Sequence, residues 1–148
     1  MTSTAVKVET LLGEFRIMVP ALASLLGFQL VAAFQSSFHD LPALARVANF
    51  LGVLCTALAL AMLLVPAGYH RFTNKVDESP DFVRFTRHMM GVAFVFFPIG
   101  LVLSIYVQAV RTFDDSPMVP AVALALLAIF IAAWWIVPWA RARRLEGK

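Results

Sequence analysis

The sequence predicts an all-α fold, a polytopic membrane protein built as a four-transmembrane-helix bundle of two helical hairpins. Three observations predict it. The 148 residues are 61% hydrophobic and only 14% charged, with a mean hydropathy of +0.82, whereas a water-soluble domain carries roughly a quarter charged residues. Four apolar runs are each long enough to cross a hydrocarbon core of about 30 Å at about 1.5 Å per residue. The basic residues stand at the ends of those runs, where membrane topology accounts for them. Neither the net charge of +3 nor the pI near 9.5 therefore points to nucleic acid as a partner.

The first span is expected at about 15–34. It is longer than the apolar region of a secretory signal peptide, it follows Glu9 and Glu14, and no small-x-small cleavage site succeeds it. Before it, Val8, Leu11, Leu12 and Phe15 recur at helical spacing. A short amphipathic segment at about 5–14 is expected to lie on the membrane surface, with Gly13 turning the chain into the bilayer. Within the span, Ala23 and Gly27 form a small-residue packing line.

The second span, about 45–67, carries Gly52 with Thr56 and Ala57 with Ala61 as packing lines and ends in VPAGYHRF. Pro66 frees the carbonyl of Met62 if the helix continues through it. Cys55, the single cysteine, can form no intramolecular disulfide and is expected to act as a small buried hydrophobe.

A charged loop at about 68–88 leads to the third span, about 89–110. Ser79-Pro80-Asp81 reads as an N-cap followed by a proline in the first turn, so this helix starts about two turns before the membrane. Gly100, Ser104 and Gln108 follow at i+4 steps. Gln29 on the first helix sits at similar depth, and two amides there are expected to hydrogen-bond across the bundle, because an unpaired amide in lipid is costly. A substrate-lining role for the same intramembrane polar residues, Gln29, Ser104 and Gln108, is the other reading. Pro98 frees the carbonyl of Phe94.

The fourth span, about 119–140, opens with Ser116-Pro117 and carries Ala121, Ala125, Ala128 and Ala132 as a packing line. Pro138 frees the carbonyl of Trp134. Trp134, Trp135 and Trp139 are placed as an interfacial aromatic belt.

Charge sets the expected orientation. Lys7, Arg16, Arg71, Lys75, Arg84, Arg87, Arg141, Arg143, Arg144 and Lys148 fall on one side, leaving only Arg46 and Arg111 of the twelve on the other. Lys and Arg near span ends stay cytoplasmic, and an even number of spans puts both termini on one side. The expectation is a multi-pass protein of a bacterial inner membrane with both termini in the cytoplasm. Short first and third connections make helices one and two, and three and four, antiparallel neighbours. No internal repeat relates the two hairpins.

The hairpin reading brings GEFR, at the start of span one, and YHRF, at the end of span two, to one depth. Glu14, Arg16, His70 and Arg71 then form an inner-face polar cluster, with Arg87 and His88 as secondary members. Glu14 can pair with Arg71 or a protonated His70, and Arg16 can meet carbonyls at the end of helix two. One reading is a solvated lock that fixes helix register. The other is an inner gate that titrates at His70, or a lipid-headgroup contact through Arg16 and Arg71.

All nine acidic residues lie in loops, tails or helix ends, and no Lys, Arg or His falls near a helix centre. Ion-coupled carriers usually trade the ion against a titrating group within the membrane. No Ser/His/Asp arrangement, metal-ligand spacing or phosphate loop is present either, so no enzyme activity, metal or cofactor is expected.

The stretches GEFRIMVPA, LLGFQLVAAF and PAGYHR resemble an uncharacterised family of small four-span bacterial membrane proteins, some of whose members carry a sodium:proton antiporter label. The resemblance covers about Leu11 to Arg144. It implies the four-span fold and makes Glu14, Arg16, Pro20, Gln29, Tyr69, His70 and Arg71 the positions that correspond to the family pattern. The resulting expectation is a non-enzymatic accessory or scaffolding subunit, embedded in the lipid bilayer and packed against other integral membrane proteins or copies of itself. The alternative is a small oligomeric ion channel or cation/proton transporter gated at the inner-face cluster.

Overall fold

The computed structural model describes residues 4–73, 80–114 and 116–146, and residues 4–8, 12, 69–73, 142 and 144–146 by their backbone alone. The described residues form α1 (Thr4–Ala33), a 3-10 turn (Ser36–Phe38), α2 (Ala43–Thr73), α3 (Pro80–Phe113), α4 (Met118–Ile131), a π-helical segment (Ala132–Ile136) and α5 (Val137–Glu146). The last three are one continuous right-handed rod, since Ile131, Ala132 and Val137 all keep helical backbone angles. Four stretches are long and apolar enough to cross a membrane: Glu9–Ala33, Ala43–Gly68, Pro80–Phe113 and Met118–Arg141. The fold is an all-α bundle with the apolar spans of a multi-pass membrane protein.

Local chemistry sets the helix boundaries. Pro80 opens α3 with Asp81 in its first turn, where a fixed proline φ and an acidic side chain both suit a helix start. At its far end Asp114 adopts a positive φ of 50°, the left-handed position that ends many helices and that Asp tolerates better than most residues. Ser116 Oγ then accepts from the Met118 amide at 3.4 Å, and its carbonyl accepts from the Val119 amide at 3.0 Å, which starts α4. α1 runs unbroken through Gly13, so the turn expected there is not formed. A glycine inside a helix costs only about 1 kcal/mol, and the apolar sequence on both sides sustains the helix.

α3 is the central helix, its most apolar window 33% buried against 6% for the Met118–Arg141 span. It packs most extensively against α2, less against α4, and least against α1. Two apolar clusters occupy the ends of the bundle. At the end where α1 finishes and α2 begins, here termed apical, Leu41, Ala45 and Ala48 meet Val107, Val110 and Val119. At the opposite, basal end Leu22, Ala59 and Leu63 meet Met90 and Ala93, with Phe94 and Phe97 beside them. Trp134 docks onto this cluster, stacked on Phe97 at 5.6 Å and edge-on to Phe94 at 5.2 Å.

The three tryptophans therefore do not act alike, contrary to the expectation of one belt. Trp134 is half-buried against α3, while Trp135 and Trp139 point outward, because neighbouring residues on a helix project about 100° apart. Arg143 lies over the Trp139 ring at 3.7 Å, a cation–π contact.

Between the two apolar clusters the backbones of α2 and α3 come close together at Gly52 and Gly100. A Cβ on Gly100 would collide with Thr56 Oγ1 and lie 3.1 Å from both Gly52 O and Thr56 N. One on Gly52 would meet Gly100 O and Leu103 Cβ at 3.3 Å. Only residues without a side chain permit this approach, which is how helices associate where no hydrophobic force acts between them.

Candidate functional site

The crossing of α2 and α3 carries a polar waist. Thr56, fully buried, donates its hydroxyl to Gly52 O at 3.0 Å, and Ser104 donates to Gly100 O at 2.9 Å. Each hydroxyl thus satisfies itself on its own helix, one turn back. From α1, the Gln29 amide donates to Ser104 Oγ at 2.5 Å and to Gly100 O at 3.3 Å. Gln29 is buried, and its Oε1 has no partner among the described residues. That amide joins α1 to α3, and α2 meets the waist through the close approach of Gly52 and Thr56 to Gly100.

Gln108 does not join it. It is exposed, and its carbonyl accepts from Thr112 at 2.9 Å. The reason lies in helix geometry: each i+4 step turns the side chain by about 40°, so Gln108 stands about 80° away from Gly100, whereas Arg111 returns to within about 20°. Arg111 donates to Gln35 Oε1 at 2.9 Å and to Ala32 O at 3.3 Å, so it holds the C-terminal end of α1. In the sequence Arg111 stands out as an exception to the charge bias, and that exceptional placement is the signal that it serves a local contact.

At the basal end the expected cluster is spread over two helices. Glu14 and Arg16 are exposed on α1. His70 and Arg71 lie in the last turns of α2, which packs against α1, and their side chains fall outside the described residues. Arg87 and His88, by contrast, take part in a defined feature. With Arg84 they line a groove of about 500 Å³ floored by Gly91, Val92, Val95 and Trp135. A second, apolar groove of about 180 Å³ continues from Val95 and Trp135 along Pro98, Leu127, Phe130 and Ile131. Arg84, His88, Gly91, Val95 and Pro98 recur at steps of three and four, so they share one stripe of α3. Arg84, Arg87 and His88 make no ion pair or side-chain hydrogen bond with other described residues. Among the described residues no three His, Cys, Asp or Glu are placed together to hold a metal ion.

A model of a family of unknown function, DUF6328, matches residues 5–138 of this chain. No curated protein and no solved structure matches it.

Proposed function

The chain belongs to the DUF6328 family of unknown function, and from that premise we propose that it is a non-enzymatic accessory or scaffolding subunit, which packs its outer helices against other integral membrane proteins or against copies of itself. The observation that carries this reading is where its small residues point. The Gly52–Thr56 line of α2 is consumed where it crosses Gly100 of α3, while Ala61 of the second α2 line stays exposed. The lines on the outer helices are not consumed: Ala23 and Gly27 on α1 and Ala121 and Ala125 on α4 are exposed, with Ala128 half-buried, and nothing lies within 4 Å of where a Cβ on Gly27 would stand. Small residues let backbones approach closely, and in lipid that approach supplies the association energy. Charge bias supports a bacterial inner-membrane location with both termini cytoplasmic, in two hairpins.

Disulfide cross-linking of native membranes tests the reading. A cysteine at Ala125, in a Cys55→Ser background, is expected to form a disulfide with the same cysteine of a second copy or, carrying a thiol-attached photo-cross-linker, to trap a distinct membrane protein, while one at exposed Val122 traps less. A protein that leaves mild detergent only as an isolated monomer, with neither cysteine trapping anything, overturns it.

A further inference from the structure

We propose that the groove between α3 and the Trp135 face of the fourth helix is a binding site for one anionic phospholipid. Its phosphate would sit against Arg84, Arg87 and His88, and one acyl chain would run along Val95, Pro98 and Leu127. Three independent observations meet here. The first is polarity: the basal groove has a cationic mouth, and the apolar groove that continues it from Val95 and Trp135 carries no charged residue in its lining. A membrane lipid has that same order of chemistry, an anionic head followed by hydrocarbon.

The second is length. From Arg84 to Pro98 the stripe spans about fourteen helical steps, about 21 Å, enough for a phosphate and most of an acyl chain in one leaflet of a core about 30 Å thick. The third is unspent charge. Arg84 and Arg87 are like charges one turn apart, which repel, and no described carboxylate pairs with either. An anion between them removes that repulsion, and juxtamembrane cations gain about 1 kcal/mol each near anionic lipid.

Gly91 makes the site testable without disturbing the bundle. It lies on the groove floor, and nothing stands within 4 Å of a Cβ built there, so Gly91→Leu fills the groove while leaving the helix packing alone. The full chain, delipidated in detergent, is titrated with phosphatidylglycerol or phosphatidylcholine and read by native mass spectrometry. The expected result is one retained phosphatidylglycerol per chain and little phosphatidylcholine. R84Q/R87Q should weaken phosphatidylglycerol retention about thirtyfold. G91L should remove it with the melting temperature unchanged, and inorganic phosphate should compete poorly. Equal retention of phosphatidylcholine, efficient displacement by inorganic phosphate, or undiminished retention in the well-folded Gly91→Leu chain each overturns the proposal. If Gly91→Leu lowers the melting temperature, R84Q/R87Q decides alone, because both residues are exposed and their loss leaves packing intact.

Discussion

A methyl group added at Gly100 has nowhere to go, because Thr56 Oγ1, Gly52 O and Thr56 N already occupy the space. Gly100→Ala is therefore expected to destabilise the bundle by about 1–3 kcal/mol, the usual cost of overpacking, read as a lower midpoint of thermal unfolding in detergent. Thr56→Ala in the same chain removes the hydroxyl and should restore part of the loss; no recovery would mean that the backbone contacts at 3.1 Å set the cost. The small and hydroxyl residues one turn apart were legible in the sequence as packing lines, but that Gly52 and Gly100 meet was not, because such a line does not name its partner helix. The partner of Gln29 was not legible either. A stripe followed in strict i+4 steps drifts around the helix, so Gln108 looked aligned with Gly100 when Arg111 was the residue that returned to that face.

The fourth helix shows how one proline reshapes an element. Pro138 has no N–H to give to Trp134 O, and its ring crowds that carbonyl in an α-helix. The chain widens instead into the π-helical segment Ala132–Ile136, where the Val137 amide reaches back to Ala132 O, as π turns allow. Pro138→Ala restores a donor, so the segment is expected to revert to α-helix and rotate everything beyond it by about 100°. Spin labels placed at exposed Leu124 and Arg141 should report a changed mutual distance; an unaltered distance distribution would show that the π turn has another cause. The proline itself was visible in the sequence, but the way a helix accommodates it depends on the neighbour it packs against. Here Trp134 faces Phe94 and Phe97 on α3.

At the scale of the whole molecule, four helices long and apolar enough to cross a membrane were legible, because hydropathy and length are properties of the chain alone. The basal groove was not, because it exists only where a stripe of α3 meets Trp135 from another helix. Orientation is a whole-molecule property too: reporter domains fused to either terminus should both read cytoplasmic, and opposite readings would break the charge argument. The polar waist has a further consequence, which concerns time. The Gln29 partners are Gly100 and Ser104, 71 and 75 residues downstream, and Arg111 lies 79 residues beyond the Ala32 carbonyl it holds. At about 5–20 residues per second, a ribosome takes roughly 4–15 s to make that interval. Throughout it the first helix waits in the bilayer with its amide unmatched by its own chain. The helix synthesised first can pack against α2 as soon as that helix is made, yet it completes its polar contacts only when α3 emerges.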